Sequence, residues 1–109
     1  MKFEIYQSEN NHEYYFRLKA GNGEVVLKSE GYKDKSGCEN GVQSVKKNAE
    51  DVGRFERKEA TNGKHHFNLK AGNGQVIGSS QMYVSKDSME HGITVVQKAT
   101  SANVEDLTD

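Results

Sequence analysis

The chain has a single cysteine among its 109 residues, Cys38, so no disulfide can form within it. That usage fits a reducing compartment, and a cytoplasmic location is the expectation. No apolar run approaches the roughly 18 residues that a bilayer span needs, so no membrane partner is expected. Met1-Lys2-Phe3-Glu4 enters a strand pattern at once, with an acid where a signal peptide needs apolar residues. Excess charge of either sign is missing too. Fifteen basic and 16 acidic residues leave −1, too little for a global field that attracts nucleic acid. Apolar side chains are scarce, at 33% against about 45–50% (glycine included) in ordinary domains. The 11 glycines narrow that gap but leave a small core. Such a composition suits one domain, residues 1–109, of two layers with one sheet face left wet.

What the chain does have is a repeat. Leu-Lys-Ala-Gly-Asn-Gly runs from Leu18 to Gly23 and again from Leu69 to Gly74. Aligning Phe16–Val52 with Phe67–Asn103 at an offset of 51 makes about 15 of about 37 positions identical, among them Tyr32/Tyr83, Lys35/Lys86, Glu39/Glu90, Gly41/Gly92 and Val45/Val96. A duplication supplies an internal control. Features kept in both copies serve the shared fold, and features found in one copy are free to serve something else.

Alternation of apolar and polar residues predicts strands over Phe3–Ser8 and Glu13–Ala20. Pairing Phe3 with Leu18 and Ile5 with Phe16 joins their apolar faces. In the second copy Phe55 stands 12 residues before Phe67, whereas Phe3 stands 13 before Phe16. A one-residue slip would turn Phe55 to the wrong face, so the loop must absorb the difference. Thr61-Asn62-Gly63 does so as a three-residue loop, with Gly63 left-handed and Phe55 opposite Leu69. The repeated Gly-Asn-Gly predicts a two-residue primed turn centred on Gly21-Asn22 or Asn22-Gly23. Either choice keeps Leu18, Ala20, Val25 and Leu27 on one face. It lacks the following helix and glycine spacing of a phosphate loop. The third strands are Glu24–Ser29 and Gln75–Ser80, with Gly78 standing where the first copy has Leu27.

Helices follow. Ser36-Gly37-Cys38-Glu39 and Asp87-Ser88-Met89-Glu90 align and read as capping boxes. Cys38, Val42, Val45 and Ala49, then Met89, Ile93, Val96 and Ala99 or Thr100, form one helical stripe each. Gly41 and Gly92 fall mid-helix, at a cost of about 1 kcal/mol relative to alanine, which predicts close approach of helix to sheet. The expected fold is α+β, with two tandem β-β-β-α repeats, residues 1–52 and 53–103. They form a two-layer domain with an antiparallel sheet of about six strands and both helices on one face. Residues 104–109 make a short acidic tail, docked by Val104 and Leu107 or frayed.

Leu69–Tyr83, Gly92-Ile93 and the terminal Asp106-Leu107-Thr108 resemble the YegP-like family of small bacterial proteins, and the first copy resembles the same repeat through Ser29–Tyr32 and Cys38–Val42. The resemblance implies tandem three-strand-plus-helix repeats in a two-layer sheet. It implies no established activity and carries no functional residues.

No constellation of residues predicts a catalytic site, a cofactor or a metal. His65-His66 are adjacent strand residues that point to opposite faces and cannot share one ion, with or without His12 or His91. Cys38 at a helix start invites a nucleophile, but its counterpart Met89 is an apolar filler, which favours a buried thiol. The capping positions of Glu39 and Glu90 explain them without acid–base chemistry. The uncovered sheet face is the remaining candidate: Tyr6, Tyr15, Arg17, Lys19 and Lys28, with Lys58, His66, Asn68 and Lys70 from the second copy and Val26 and Ile77 between. Aromatics with basic neighbours stack bases and attract phosphates, although Glu4, Glu13 and Glu56 dilute the charge, and ordinary cross-strand pairs explain the face as well. The expected function is a non-enzymatic binding or interaction module. It takes single-stranded nucleic acid or another anionic ligand on that face, or a protein partner at a sheet edge, as monomer or homodimer. The alternatives are a small enzyme with its site between the repeats or at Tyr32/Tyr83, and a structural or stress-associated protein acting through self-association.

Gly63→Val is expected to destabilise the protein by about 1–2 kcal/mol, because a β-branched residue resists positive φ. An unchanged melting temperature would remove the left-handed glycine from that loop.

Overall fold

The computed structural model describes residues 1–108. Three strands, β1 (Lys2–Gln7), β2 (Tyr14–Lys19) and β3 (Val25–Lys28), lead into helix α1 (Lys35–Asn48). The pattern recurs as β4 (Phe55–Glu59), β5 (His65–Lys70), β6 (Val76–Ser79) and α2 (Lys86–Val96), and a last strand, β7 (Asn103–Asp106), follows. The sheet order is β4-β5-β6-β3-β2-β1-β7. It has seven strands and is mixed, not six and antiparallel, because β7 runs parallel to β1. The expected tail is therefore a strand. Lys28 pairs with Ser79, its own counterpart 51 positions on, which is the register that a two-fold relation between the repeats requires.

The expected strand registers hold. Phe3 faces Leu18, Ile5 faces Phe16, and Phe55 faces Leu69. The repeated turn differs. Gly21-Asn22-Gly23, Gly72-Asn73-Gly74 and Thr61-Asn62-Gly63 all form three-residue loops of one design. In each, the glycine N–H donates to the carbonyl before the loop (Ala20, Ala71, Ala60) and the asparagine side chain accepts from the residue after it. Positive φ falls only on the last glycine of each, Gly23, Gly74 and Gly63. A two-residue primed turn would need it one position earlier as well, or instead. The extra residue becomes a bulge, so Lys19 faces Val25 and Lys70 faces Val76. Val25 thereby leaves the face of Leu27, while Val26 and Ile77, expected on the open face, are buried.

Both helices start earlier than the capping-box reading predicts. The caps are Asp34, which accepts from Gly37 N–H at 2.9 Å, and Ser85, which accepts from Ser88 N–H at 3.1 Å. Ser36 and Asp87 lie inside the first turn, so Glu39 and Glu90 have no capping role. The helical stripes are buried as expected, through Cys38, Val42 and Val45, then Met89, Ile93 and Val96. They meet Phe3, Ile5, Phe16, Leu18, Phe67 and Leu69 from the sheet, each worth about 1.5–3 kcal/mol when fully buried. α1 touches β5 and β6 as well as β1 and β2, and α2 touches β3 as well as β5, so the helices span the seam between repeats. No helix among the described residues is long and apolar enough to cross a membrane.

The mid-helix glycines answer to one device, used twice. Tyr32 lies on Phe16 and Tyr83 on Phe67, with ring centroids 6.4 Å apart in each pair. A side chain at Gly41 would collide with the Tyr32 hydroxyl and Phe16, and one at Gly92 with the Tyr83 hydroxyl. Helix and sheet approach closely, as predicted, with the tyrosine ring as the contact. A different fit closes the seam. A Cβ at Gly78 would sit 2.8 Å from Leu27 Cγ and Cδ2, so the leucine of one repeat fills the space left by the glycine at the same position of the other.

Gly78→Leu is expected to cost about 1–3 kcal/mol through overpacking. Adding Leu27→Gly should recover most of that loss in a denaturant midpoint. A double variant no more stable than Gly78→Leu alone would mean that the two positions do not share one space.

Candidate functional site

The uncovered face is built around two glutamates. Glu4 on β1 is buried and accepts from Arg17 Nε at 2.7 Å, with Lys19 Nζ at 3.1 Å and Lys2 Nζ at 3.5 Å. Arg17 chiefly, assisted by Lys19 and against the opposing effect of burial, holds the carboxyl down to about 2. Glu56 on β4 occupies the same position in the second repeat. It accepts from Lys70 at 2.9 Å and Asn68 at 3.3 Å, with Lys58 at 3.7 Å, and Lys70 above all lowers its pKa. Arg17, Lys19, Lys58 and Lys70, expected to attract phosphate, are thus paired with carboxylates of the same face.

The aromatics are likewise occupied. Tyr6 and Tyr15 stack on each other at 5.7 Å, and the Arg17 guanidinium stands 4.5 Å from the Tyr6 ring centre. The structure brings together Tyr6, Tyr15, Arg17 and Lys19 as one cluster on β1 and β2. His66 and Lys70 lie on β5, across the seam, with His66 opposite Lys58. His65 and His66 are adjacent positions of β5, facing Glu59 and Lys58 of β4 respectively. Cys38 is fully buried, and burial pushes its thiol up to about 11, far from a nucleophile's range. Burial also raises Tyr32 and Tyr83, away from acid–base work near neutral pH. Glu39 is exposed, and Glu90 receives a two-pronged contact from Arg57, at 2.6 and 3.0 Å.

The edges of the sheet differ more than its face. The Phe16 N–H donates to Ser29 Oγ and its carbonyl accepts from Ser29 N–H. Ile5 opposite it therefore turns its own N–H and C=O outward. The Ile5 carbonyl accepts from Leu107 N–H at 2.8 Å, where β7 closes the edge. Lys2 pairs with Glu105 at 2.9 Å, and Lys35, the first residue of α1, pairs with Asp106, lowering that acid to about 2. All four side chains of β7 are exposed, so backbone bonds and these two ion pairs hold it.

At the other edge the same logic operates without a strand. Phe67 bonds to Ser80 as Phe16 does to Ser29, so Arg57 opposite Phe67 turns its backbone N–H and C=O outward. Among the described residues nothing pairs with that side of β4. A hollow of about 240 Å³ lies beside it, between Arg57, Glu59, His65, Lys86 and Met89. The sequence did not single out this edge. The available signal was the charged Arg57-Lys58-Glu59 end of β4, which is exposed and in which Arg57 replaces the apolar Ile5 of the first copy.

Glu4→Gln is expected to be less stable than the wild type at pH 7, because it leaves Arg17 and Lys19 unmatched. The folded carboxyl lies below its ordinary value of 4.5, so its contribution is complete above that pH and is lost as pH falls toward about 2. The gap in melting temperature between wild type and variant should close across that interval. A gap of constant size would assign the effect to packing.

The family model described as "Domain of unknown function (DUF1508)" matches residues 9–56 and again 60–106. The chain is 59% identical over 95 residues to a UPF0339 protein encoded 5′ of a ptx operon in Stutzerimonas stutzeri, covering 87% of this chain and 85% of the relative. It is 50% identical over 107 residues to the UPF0339 protein YegP of Escherichia coli K12, covering 97% and 96%. Two solution NMR structures have the same fold, each with a TM-score of 0.92. They are a UPF0339 protein of Shewanella oneidensis (44% identity, 98% of this chain and 91% of that one) and yegP of Escherichia coli (48% identity, 98% and 92%). The two matched stretches, the near-complete coverage and the shared fold agree: this chain belongs to the DUF1508 family of UPF0339, YegP-like proteins and carries two of its repeats.

Proposed function

We propose that this protein is a non-enzymatic interaction module and that it works at its sheet edge, binding an extended segment of a protein partner. One observation carries the reading. The outer edge of the first repeat is covered by a strand, β7, whereas the equivalent edge on β4 presents the backbone N–H and C=O of Arg57 with no strand beside them among the described residues. Unpaired edge groups are a template for strand addition. The reading treats residues 1–109 as one domain of two repeats, 1–52 and 53–103, whose terminal segment is an intramolecular example of the same binding mode.

A second reading keeps single-stranded nucleic acid or another anionic ligand on the open face. It is supported by the Tyr6–Tyr15 stack with Arg17, and by Lys28, an exposed cation on β3. The ion pairs of Glu4 and Glu56 weigh against it, since bound phosphate would have to compete with them.

Affinity capture from cell extract with wild type, Arg57→Ala and Arg57→Pro separates the readings. Both variants lose the ion pair to Glu90, but only proline removes the outward N–H. A partner kept by Arg57→Ala and lost by Arg57→Pro is the expected result. A partner that ignores both variants and is lost by Tyr15→Ser would overturn the edge reading in favour of the face.

A further inference from the structure

We infer that the β4 edge binds an acidic segment running parallel to β4, of the same chemistry as this chain's own Val104-Glu105-Asp106-Leu107. The inference rests on the edge reading above and adds the identity class of the partner. Its template is the β1–β7 contact, where two cations read two acids: Lys2 takes Glu105 and Lys35 takes Asp106. The positions of those cations in the second repeat are Arg54 and Lys86, and both are again cationic.

Lys86 is the telling residue. It opens α2 as Lys35 opens α1. A cation in the first turn of a helix opposes the helix dipole. At α1 the carboxylate of Asp106 offsets that cost. At α2 the first turn carries Asp87 instead, and Glu90, which feels Lys86, has both of its oxygens held by Arg57. Lys86 is exposed and makes no ion pair among the described residues. The hollow beside β4, walled by Lys86 and Met89, lies where Asp106 and Leu107 run in the first repeat, next to Lys35 and Ile5.

Arg57 sets the selectivity. Where β1 places the buried Ile5, β4 places a guanidinium bound to Glu90. Two β4 edges brought together about that position would set Arg57 against Arg57, which discourages self-pairing. An incoming strand with an acid at the position of Asp106 meets Lys86 instead, whereas Arg54 is paired with Asp51 at 3.6 Å and lies against Gly72. The next residue of that strand, in the place of Leu107, donates its N–H to the Arg57 carbonyl.

The test uses the full chain, isotopically labelled, and a blocked synthetic peptide of residues 102–108 added in trans, followed by amide NMR. Shifts at Arg57, Glu59, Lys86 and Met89 are expected. Lys86→Glu should abolish them while leaving the rest of the spectrum in place. A peptide carrying glutamine and asparagine for Glu105 and Asp106 should bind at least about tenfold more weakly. Shifts confined to Phe3, Ile5 and Lys35 would mean that the peptide only trades places with β7, and would overturn the inference, as would silence at millimolar peptide. Equal binding of the uncharged peptide at β4 would overturn the acidic preference while leaving the edge itself as a strand acceptor. Capture of a partner sensitive to Arg57→Pro, with no peptide response, would do the same.

Discussion

Each repeat is held together by a tyrosine laid on a phenylalanine with its hydroxyl against a helical glycine. The ring of Tyr32 or Tyr83 sets how far the helix stands from the sheet, and Gly41 or Gly92 lets it stand there. The rest of the architecture follows from that spacing. At this height the apolar stripe of each helix meets the phenylalanines of the strands. Each helix, anchored at this point in its own repeat, also lies across the seam and touches strands of both repeats. A small apolar fraction suffices because two such posts replace the deeper core that a larger domain would use.

Electrostatics on this molecule is local. A net charge of −1 hides a surface in which nearly every cation of the open face leans on a glutamate at the centre of its own hairpin. The arrangement makes the face a set of cross-strand contacts, in which Tyr6 is flanked by its own neighbours. Where charge is left less matched, it is at the strand edge and at the start of α2. The two outer edges also differ in pattern: isoleucine stands where β7 covers the position, and arginine where no strand among the described residues does.

Much of the fold was legible in the sequence because duplication doubles every signal. The register of Phe3, Ile5 and Phe55 followed from alternation and from one missing residue in a loop. Gly41 and Gly92 announced a close contact, although not that a tyrosine made it. The helix starts were misread because serine and aspartate recur every few residues there, and Asp34 and Ser85 differ between copies while the Glu39/Glu90 pair does not. The Gly-Asn-Gly turn was misread because two-residue and three-residue loops share their composition and differ only in which glycine turns left-handed. The strand β7 escaped because four exposed residues leave no periodic apolar trace. The edge at β4 escaped because an unpaired edge is a property of topology and belongs to no single residue.

The seam has a consequence for how such a chain changes over time. Leu27 and Gly78 occupy the same position of the two repeats and lie against each other. Duplication usually frees one copy to drift, but here it made a position the immediate neighbour of its own twin. A bulky residue in one half requires a small one in the other, so the halves diverge in complementary pairs. The two repeats have thereby become unlike in a way that fixes their order. Two first repeats would bring two leucines into one space, and two second repeats would leave it empty. Recombination that shuffles repeats of this kind between chains would be filtered by that single contact, well before any binding surface came into play.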